Sequence, residues 1–174
     1  MNNCSGNSDV VIRRVTVAGV AAIAPAVSEI YKYYVEQTTV SFEHIAPSAS
    51  EMCVRLEEIA AEHPCFVAES AEGLAGYAYV HPWKARPAYN RTLETTIYLR
   101  HGMTSRGVGR RLMLSLIEAC RLTDCHALIA CITHENDGSL RFHESLGFRT
   151  VSEFKEVGYK FGRYLDVTDM ELIL

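Results

Sequence analysis

Residues able to do acid–base and anion-binding chemistry are concentrated between positions 83 and 143. Glu94 lies inside Thr92–Leu99, a run of β-branched and aromatic residues with the composition of a half-buried strand. Burial raises a carboxylate's pKa toward the range in which it can take a proton from an amine. Downstream, Arg106-Gly107-Val108-Gly109-Arg110-Arg111 leads into a stripe of Val108, Leu112, Leu116 and Cys120, widened by Met113 and Ile117, at helical spacing. Two glycines at a strand-to-helix turn let backbone amides approach a ligand closely, and a helix N-terminus favours an anion. The arginines add charge, so the segment reads as a phosphate cradle, although a tight turn alone would use the same glycines. No Lys-Ser or Lys-Thr pair follows them, and Leu112 stands where a dinucleotide fingerprint has its third glycine.

A second group lies in His81–Tyr89, where Pro82 and Pro87 exclude regular structure and Trp83, Lys84, Arg86 and Tyr89 supply rings and cations. It is either a solvated loop with Trp83 pinned to the core or the wall of a pocket for an anionic substrate.

The bulk composition narrows the function classes. A net charge of −4 with scattered arginines argues against general nucleic-acid binding. No apolar run approaches the ~20 residues needed to span a bilayer, so no membrane partner is expected. Met1–Asp9 lacks an apolar core and reads as a frayed tail rather than a secretory signal. The six cysteines form no C-x-x-C pair and the seven histidines no H-x-x-x-H, so reduced thiols, a cytoplasmic location and no metal site are expected.

The elements that must position these groups fit a single domain over residues 10–174. Val10–Arg14 predicts a strand. Thr16 is placed to cap a helix carrying Val20, Ile23, Val27, Ile30 and Tyr34, with Pro25 near its beginning or kinking it. Residues 37–43 form a β-rich segment, and Ser48-x-x-Glu51 is a capping box for a helix running to about Ala61. Cys65–Glu69 and Leu74–Val80 predict a hairpin around Glu72-Gly73. Ala127–Ile132 reads as a central strand covered on both faces. Asp137 or Ser139 then caps a short helix through Leu146 that Gly147 ends. Phe148–Glu153 predicts a strand, Gly158–Tyr164 a loop and Val167–Leu174 a closing strand. Helices interleaved with hairpin and crossover strands predict a mixed α/β fold, a mixed sheet covered by helices.

Thr104-Ser105-Arg106-Gly107-Val108-Gly109 resembles the acetyl-CoA loop [Q/R]-x-x-G-x-[G/A] of the GNAT superfamily of N-acetyltransferases, with Thr104 departing from the pattern. Asn136-x-x-Ser139-x-x-x-His143-x-x-x-Gly147-Phe148 is similar to that superfamily's N-x-x-[AS]-x-x-x-Y-x-x-x-G-F segment, with His143 at the position of a tyrosine often assigned as general acid. Together with Glu94-Thr95-Thr96-Ile97-Tyr98-Leu99 and Val157–Arg163, this looks like the phosphinothricin acetyltransferase family. The resemblance implies a central, mostly antiparallel mixed sheet with helices on both faces. It implies acetyl-CoA as cosubstrate, no metal, and a homodimer. Glu94 would be the general base and His143 a donor to the leaving thiolate. Ile97, Tyr98 and Leu99 would meet the acetyl group and pantetheine, and Ser105, Arg106, Gly107, Val108, Gly109 and Arg110 the phosphates. Asn136 and Ser145 would lie further along the coenzyme. Phe42, Lys84, Ala85, Arg86, Glu94, Thr95, Thr96 and Tyr159 would line the pocket of a small amine such as phosphinothricin, methionine sulfoximine or methionine sulfone. Protein N-termini, lysines or polyamines are alternative acceptors, and an acyl-CoA-binding module without turnover is the non-enzymatic alternative.

Overall fold

The computed structural model describes residues 10–103 and 107–174. The tail Met1–Asp9 and, within the expected phosphate loop, Thr104, Ser105 and Arg106 lie outside the described residues. Runs rich in β-branched, aromatic and small apolar residues make the strands β1 (Val11–Arg14), β2 (Cys65–Ser70), β3 (Gly73–Pro82) and β4 (Thr92–Leu99). The remaining strands are β5 (Ala127–Thr133), β6 (Arg149–Lys160) and β7 (Arg163–Ile173). They form one seven-stranded sheet in the order β1-β2-β3-β4-β5-β7-β6. Every neighbouring pair is antiparallel except β4–β5.

Helices α1 (Val17–Gln37) and α2 (Ala49–Glu62) cover one face, burying Val20, Val27, Met52 and Leu56 against Val67 and Tyr77. Helices α3 (Val108–Arg121) and α4 (Asp137–Glu144) lie on the other, where Leu112, Met113, Leu116 and Phe142 pack against Leu128, Ile132 and Met170. The α3 side of β5 is covered through Leu128, Ala130 and Ile132, whereas Cys131 on the other side is exposed, so the strand is not covered along both faces as its apolar run predicts. The Ser48–Glu51 capping box forms as expected, with Ser48 Oγ accepting from the Glu51 amide at 3.3 Å. Among the described residues no helix is long and apolar enough to cross a membrane.

The structure corrects four further local expectations. Residues 37–43 join no strand: Thr38 Oγ1 donates to the Tyr34 carbonyl of α1, while the main-chain carbonyls of Thr39 and Ser41 accept from the side chains of Thr133 on β5 and Lys160 on β6. Gly158–Tyr164 is no loop: β6 runs to Lys160, and Phe161-Gly162, both at positive φ (50° and 76°), turn tightly into β7. Asn136, rather than Asp137 or Ser139, caps α4, its Oδ1 accepting from the Ser139 amide at 3.1 Å. Thr16 sits at the start of α1 but makes no side-chain cap, and Pro25 lies inside that helix.

Candidate active site

The site is built around a fork in the sheet. β4 and β5 pair only over Thr92–Glu94 against Ala127–Ile129. Beyond Glu94, β4 stays with β3 as far as Leu99, while β5 stays with β7 as far as Thr133. The facing edges of β4 and β5 thus separate, leaving backbone groups open to a ligand rather than to a neighbouring strand. Thr95 closes the apex, its Oγ1 donating to the Ile129 carbonyl at 3.2 Å. At the open end the Tyr34 hydroxyl holds the Leu99 carbonyl at 2.6 Å.

On the α3 side of the fork, Gly107 caps the helix at φ 75°, with no side-chain cap and no acidic residue in the first turn. The first-turn amides therefore have no side-chain acceptor among the described residues, and the helix dipole favours an anion there. A Cβ on Gly109 would meet Leu99 Cδ1 at 3.4 Å and the Phe142 ring at 3.7 Å, ordinary van der Waals contacts that show how close the turn lies to the fork and to α4. Arg110 reaches across to α4, donating to the Ser145 carbonyl and Oγ at 3.4 Å.

His143 is 3% exposed, wedged edge-on between Phe142 and Phe148. Its Nδ1 donates to the Ser139 carbonyl at 2.9 Å, so in the neutral ring Nε2 carries a lone pair. That Nε2 is the only buried side-chain nitrogen or oxygen without a hydrogen-bond partner among the described residues. Burial pushes the imidazole's pKa down, so His143 is held neutral rather than as a standing acid. Asn136 uses its Oδ1 on the α4 cap, leaving its amide nitrogen as a donor. An open helix N-terminus, unpaired strand edges and an orphaned buried imidazole fit an acyl-coenzyme thioester with anionic phosphates. Among the described residues no group of three or more His, Cys, Asp or Glu is arranged to hold a metal.

The face toward α1 and α2 carries residues expected on the acceptor side. Register places His81, Tyr79 and Tyr77 of β3 opposite Glu94, Thr96 and Tyr98 of β4, and Cys131 of β5 opposite Asp169 of β7. Cys131 is open to solvent although Ala130 and Ile132 beside it are buried, which marks a trough above the middle of the sheet. Glu94 stands at its β4 edge. Burial pushes its pKa up, the Asp169 charge adds to this, and His81 at 3.9 Å opposes it. Although the residue is exposed as a whole, desolvation of its sulfur, with the charges of Asp169 and Glu94, pushes the Cys131 thiol up to about 12.

Residues 38–47 strap across this face. Thr133 Oγ1 donates to the Thr39 carbonyl at 2.7 Å, and Lys160 Nζ donates to the Ser41 carbonyl at 2.6 Å. Glu43 is held by the Tyr31 hydroxyl at 2.9 Å and Arg55 at 2.7 Å. Between these anchors the Phe42 ring fills the notch where a Cβ on Gly158 would stand, 2.2 Å from Cε2. Lys160, 2% exposed, is a buried cation whose pKa burial pushes down.

Of the residues expected in the acceptor pocket, Phe42, Glu94 and Thr96 share the trough face. Thr95 is spent on the fork apex, and Ile97 and Leu99 pack toward α3. Tyr98 is an aromatic packed among Tyr31, Tyr34 and Tyr77. Lys84, Ala85 and Arg86 are exposed on the loop after β3, with Lys84 Nζ 3.8 Å above the Trp83 ring and 5.2 Å from Tyr89. Tyr159 lies on the opposite side of β6 from Gly158 and Lys160, against Tyr164. His81, Cys131, Asp169, Gly158 and Lys160 join the site only through strand register, which no local motif encodes.

A family profile described as "Acetyltransferase (GNAT) domain" matches residues 24–168. The phosphinothricin N-acetyltransferase of Streptomyces viridochromogenes is 35% identical over 156 residues, covering 90% of this chain and 83% of its own. The L-methionine sulfoximine/L-methionine sulfone acetyltransferase of Pseudomonas aeruginosa is 33% identical over 159 residues, covering 90% of this chain and 92% of its own. The crystal structure of a GNAT superfamily phosphinothricin acetyltransferase from Sinorhizobium meliloti in complex with acetyl-CoA superposes with a TM-score of 0.88 at 30% identity, covering 95% of this chain and 88% of that one.

Proposed function

Because this chain belongs to the GNAT acetyltransferase family, enzymes that draw on acetyl-CoA, we propose that its acceptor is the free amine of a small amino-acid analogue, of the phosphinothricin or methionine sulfoximine and sulfone type. Glu94 is the general base in this reading. The observation that carries it is the place of Glu94: the last residue paired before the fork opens, at the edge of a trough, with a carboxyl pKa raised by burial.

Bound acetyl-CoA supplies an acetyl thioester; everything else falls to the chain. The first turn of α3, from Gly107 to Arg110, takes the phosphates on main-chain amides, and Asn136 and Ser145 flank the coenzyme further along. The open β4 edge from Ile97 to Leu99 offers amides to the pantetheine and to the carbonyl oxygen as it gains charge. Glu94 removes a proton from the ammonium form of the acceptor, whose nitrogen otherwise has no lone pair. The buried Nε2 of His143 receives a hydrogen bond rather than acting as a preformed acid, and the thiol's proton comes from the attacking nitrogen. Phe42 walls the acceptor, while Lys84 and Arg86 on the neighbouring loop attract its anionic groups.

Thiol release from acetyl-CoA over a panel of amines tests the reading. Turnover confined to the amino-acid analogues, and lost in Glu94→Gln, is the expected result. Turnover of peptides or polyamines alone discards the acceptor class. We further expect a cytoplasmic homodimer: the long edge strand β6 exposes Val151, Phe154 and Val157, which sedimentation should find covered in a dimer.

A further inference from the structure

We propose that His81 is a positioning residue that takes from Glu94 the proton removed from the acceptor amine and passes it to solvent. The proposal rests on Glu94 being the base. His81 is the direct cross-strand partner of Glu94 in the β3–β4 ladder, so both side chains leave the same face of the sheet. Its Nδ1 donates to the Pro82 carbonyl at 3.1 Å, which selects the Nδ1–H tautomer. The Nε2 lone pair is then free toward Glu94 Oε1, 3.9 Å away. That separation is too long for a hydrogen bond and spans what a small side-chain rotation or one bridging water would close. His81 sits near the end of β3, just before the exposed loop, with 34% of its side chain open to solvent. One ring nitrogen thus faces the base while the side chain as a whole reaches water.

The proton count makes such an exit useful. An acceptor enters as an ammonium and loses one proton to the Glu94 carboxylate. The amine then attacks, and its second proton ends on the departing thiol. Each turnover therefore leaves one proton on Glu94, which must go before another amine is activated. His81 Nε2 takes that proton from the Glu94 carboxyl, and the imidazolium gives it to water, returning to the Nδ1–H form. The other groups facing the pair are Asp169 from β7, Cys131 from β5, His63 at the end of α2 and the Tyr79 ring. Asp169 pushes Glu94 in the direction opposite to a cationic His81.

The test combines His81→Gln, with His81→Asn as a second variant, and two readouts. In the first, kcat should fall about tenfold with the KM for acetyl-CoA unchanged, free imidazole should restore the rate, and the acidic limb of kcat/KM should move to higher pH. In the second, the 13C resonance of the Glu94 carboxyl is titrated without substrate, and its midpoint should rise in His81→Gln because a cationic neighbour is gone. An unchanged Glu94 midpoint, or no rescue by imidazole, overturns the role of His81. Full turnover by Glu94→Gln overturns instead the reading on which it rests.

Discussion

The two halves of the site are built from different materials. In the proposed reading the coenzyme side uses main-chain groups: the first turn of α3 behind Gly107 and the open edge of β4. They come from a nearly continuous stretch of chain, and their chemistry is that of any exposed helix N-terminus or strand edge. On the acceptor side they are side chains carried by β3, β4, β5, β6, β7 and the 38–47 strap. A main-chain site binds what all substrates of the reaction share, here the coenzyme. A side-chain site assembled from many elements can be retuned one residue at a time, and the proposed reading places selectivity among amines there.

That contrast predicts a graded set of effects. The largest should come from Glu94→Gln: kcat/KM should drop by about 10²- to 10⁴-fold, the usual worth of general acid–base catalysis. In the unchanged enzyme kcat/KM should rise with pH and level off above the raised pKa of Glu94, higher than an ordinary carboxylate. Stability carries the opposite sign. With its pKa raised in the folded state, Glu94 binds more protons folded than unfolded between the two values, so stability falls as pH rises through that window. Glu94→Gln should therefore melt at the same temperature or a little higher at neutral pH while losing activity. A protein that loses both together breaks the assignment.

Next in size is Gly158→Val. Its Cβ would overlap the Phe42 ring, 2.2 Å from Cε2 at an ideal position, and swing that ring out of its notch. The acceptor KM should rise about tenfold, equivalent to ~1.4 kcal/mol, with the KM for acetyl-CoA unmoved. If the two KM values rise together, the halves of the site are not separable.

Lys160→Met should act in the same sense and more weakly. It leaves the Ser41 carbonyl without its 2.6 Å partner, a loss of about 1–3 kcal/mol, but it also removes a desolvated ammonium. Amide hydrogen exchange should quicken in residues 38–47 and not in α3; uniform quickening would make Lys160 a plain stability residue.

On the coenzyme side the effect is of the same order at Gly107, smallest of all at Gly109, and falls on the other substrate. Gly107→Ala forces a Cβ at φ 75° and should cost about 1–2 kcal/mol, read as a lower melting temperature and a higher KM for acetyl-CoA. Gly109→Ala meets only ordinary contacts and should change either quantity less.

The same division explains what could be read from the chain alone. The strand, glycine turn and amphipathic α3 were legible because they depend on local composition and helical period, and so was the α2 capping box, whose bonds span three residues. Residues 37–43 have strand-like composition, yet Thr39, Ser41 and Glu43 find side-chain and long-range partners that outweigh a weak local preference. Gly158 reads as a loop residue, but the missing Cβ is needed for Phe42, a contact between positions far apart in sequence. Lys84 and Arg86 were legible as cations; that Lys84 rests on Trp83 and Tyr89 was not, since nothing in the spacing distinguishes a stacked from a ligand-facing lysine.

By itself the sequence determined the order of the elements, the glycine turn at the head of α3, the carboxylate within β4, and through its motifs the family. Those features follow from interactions within a turn or two of chain. Tertiary structure alone decided that β4 and β5 part after Glu94, that His81 faces Glu94, that Asp169 and Cys131 lie beside it, and that Gly158 and Lys160 seat the strap that carries Phe42. Each is a matter of register, and register is set by the best burial of the whole sheet against its helices rather than by any one strand's residues.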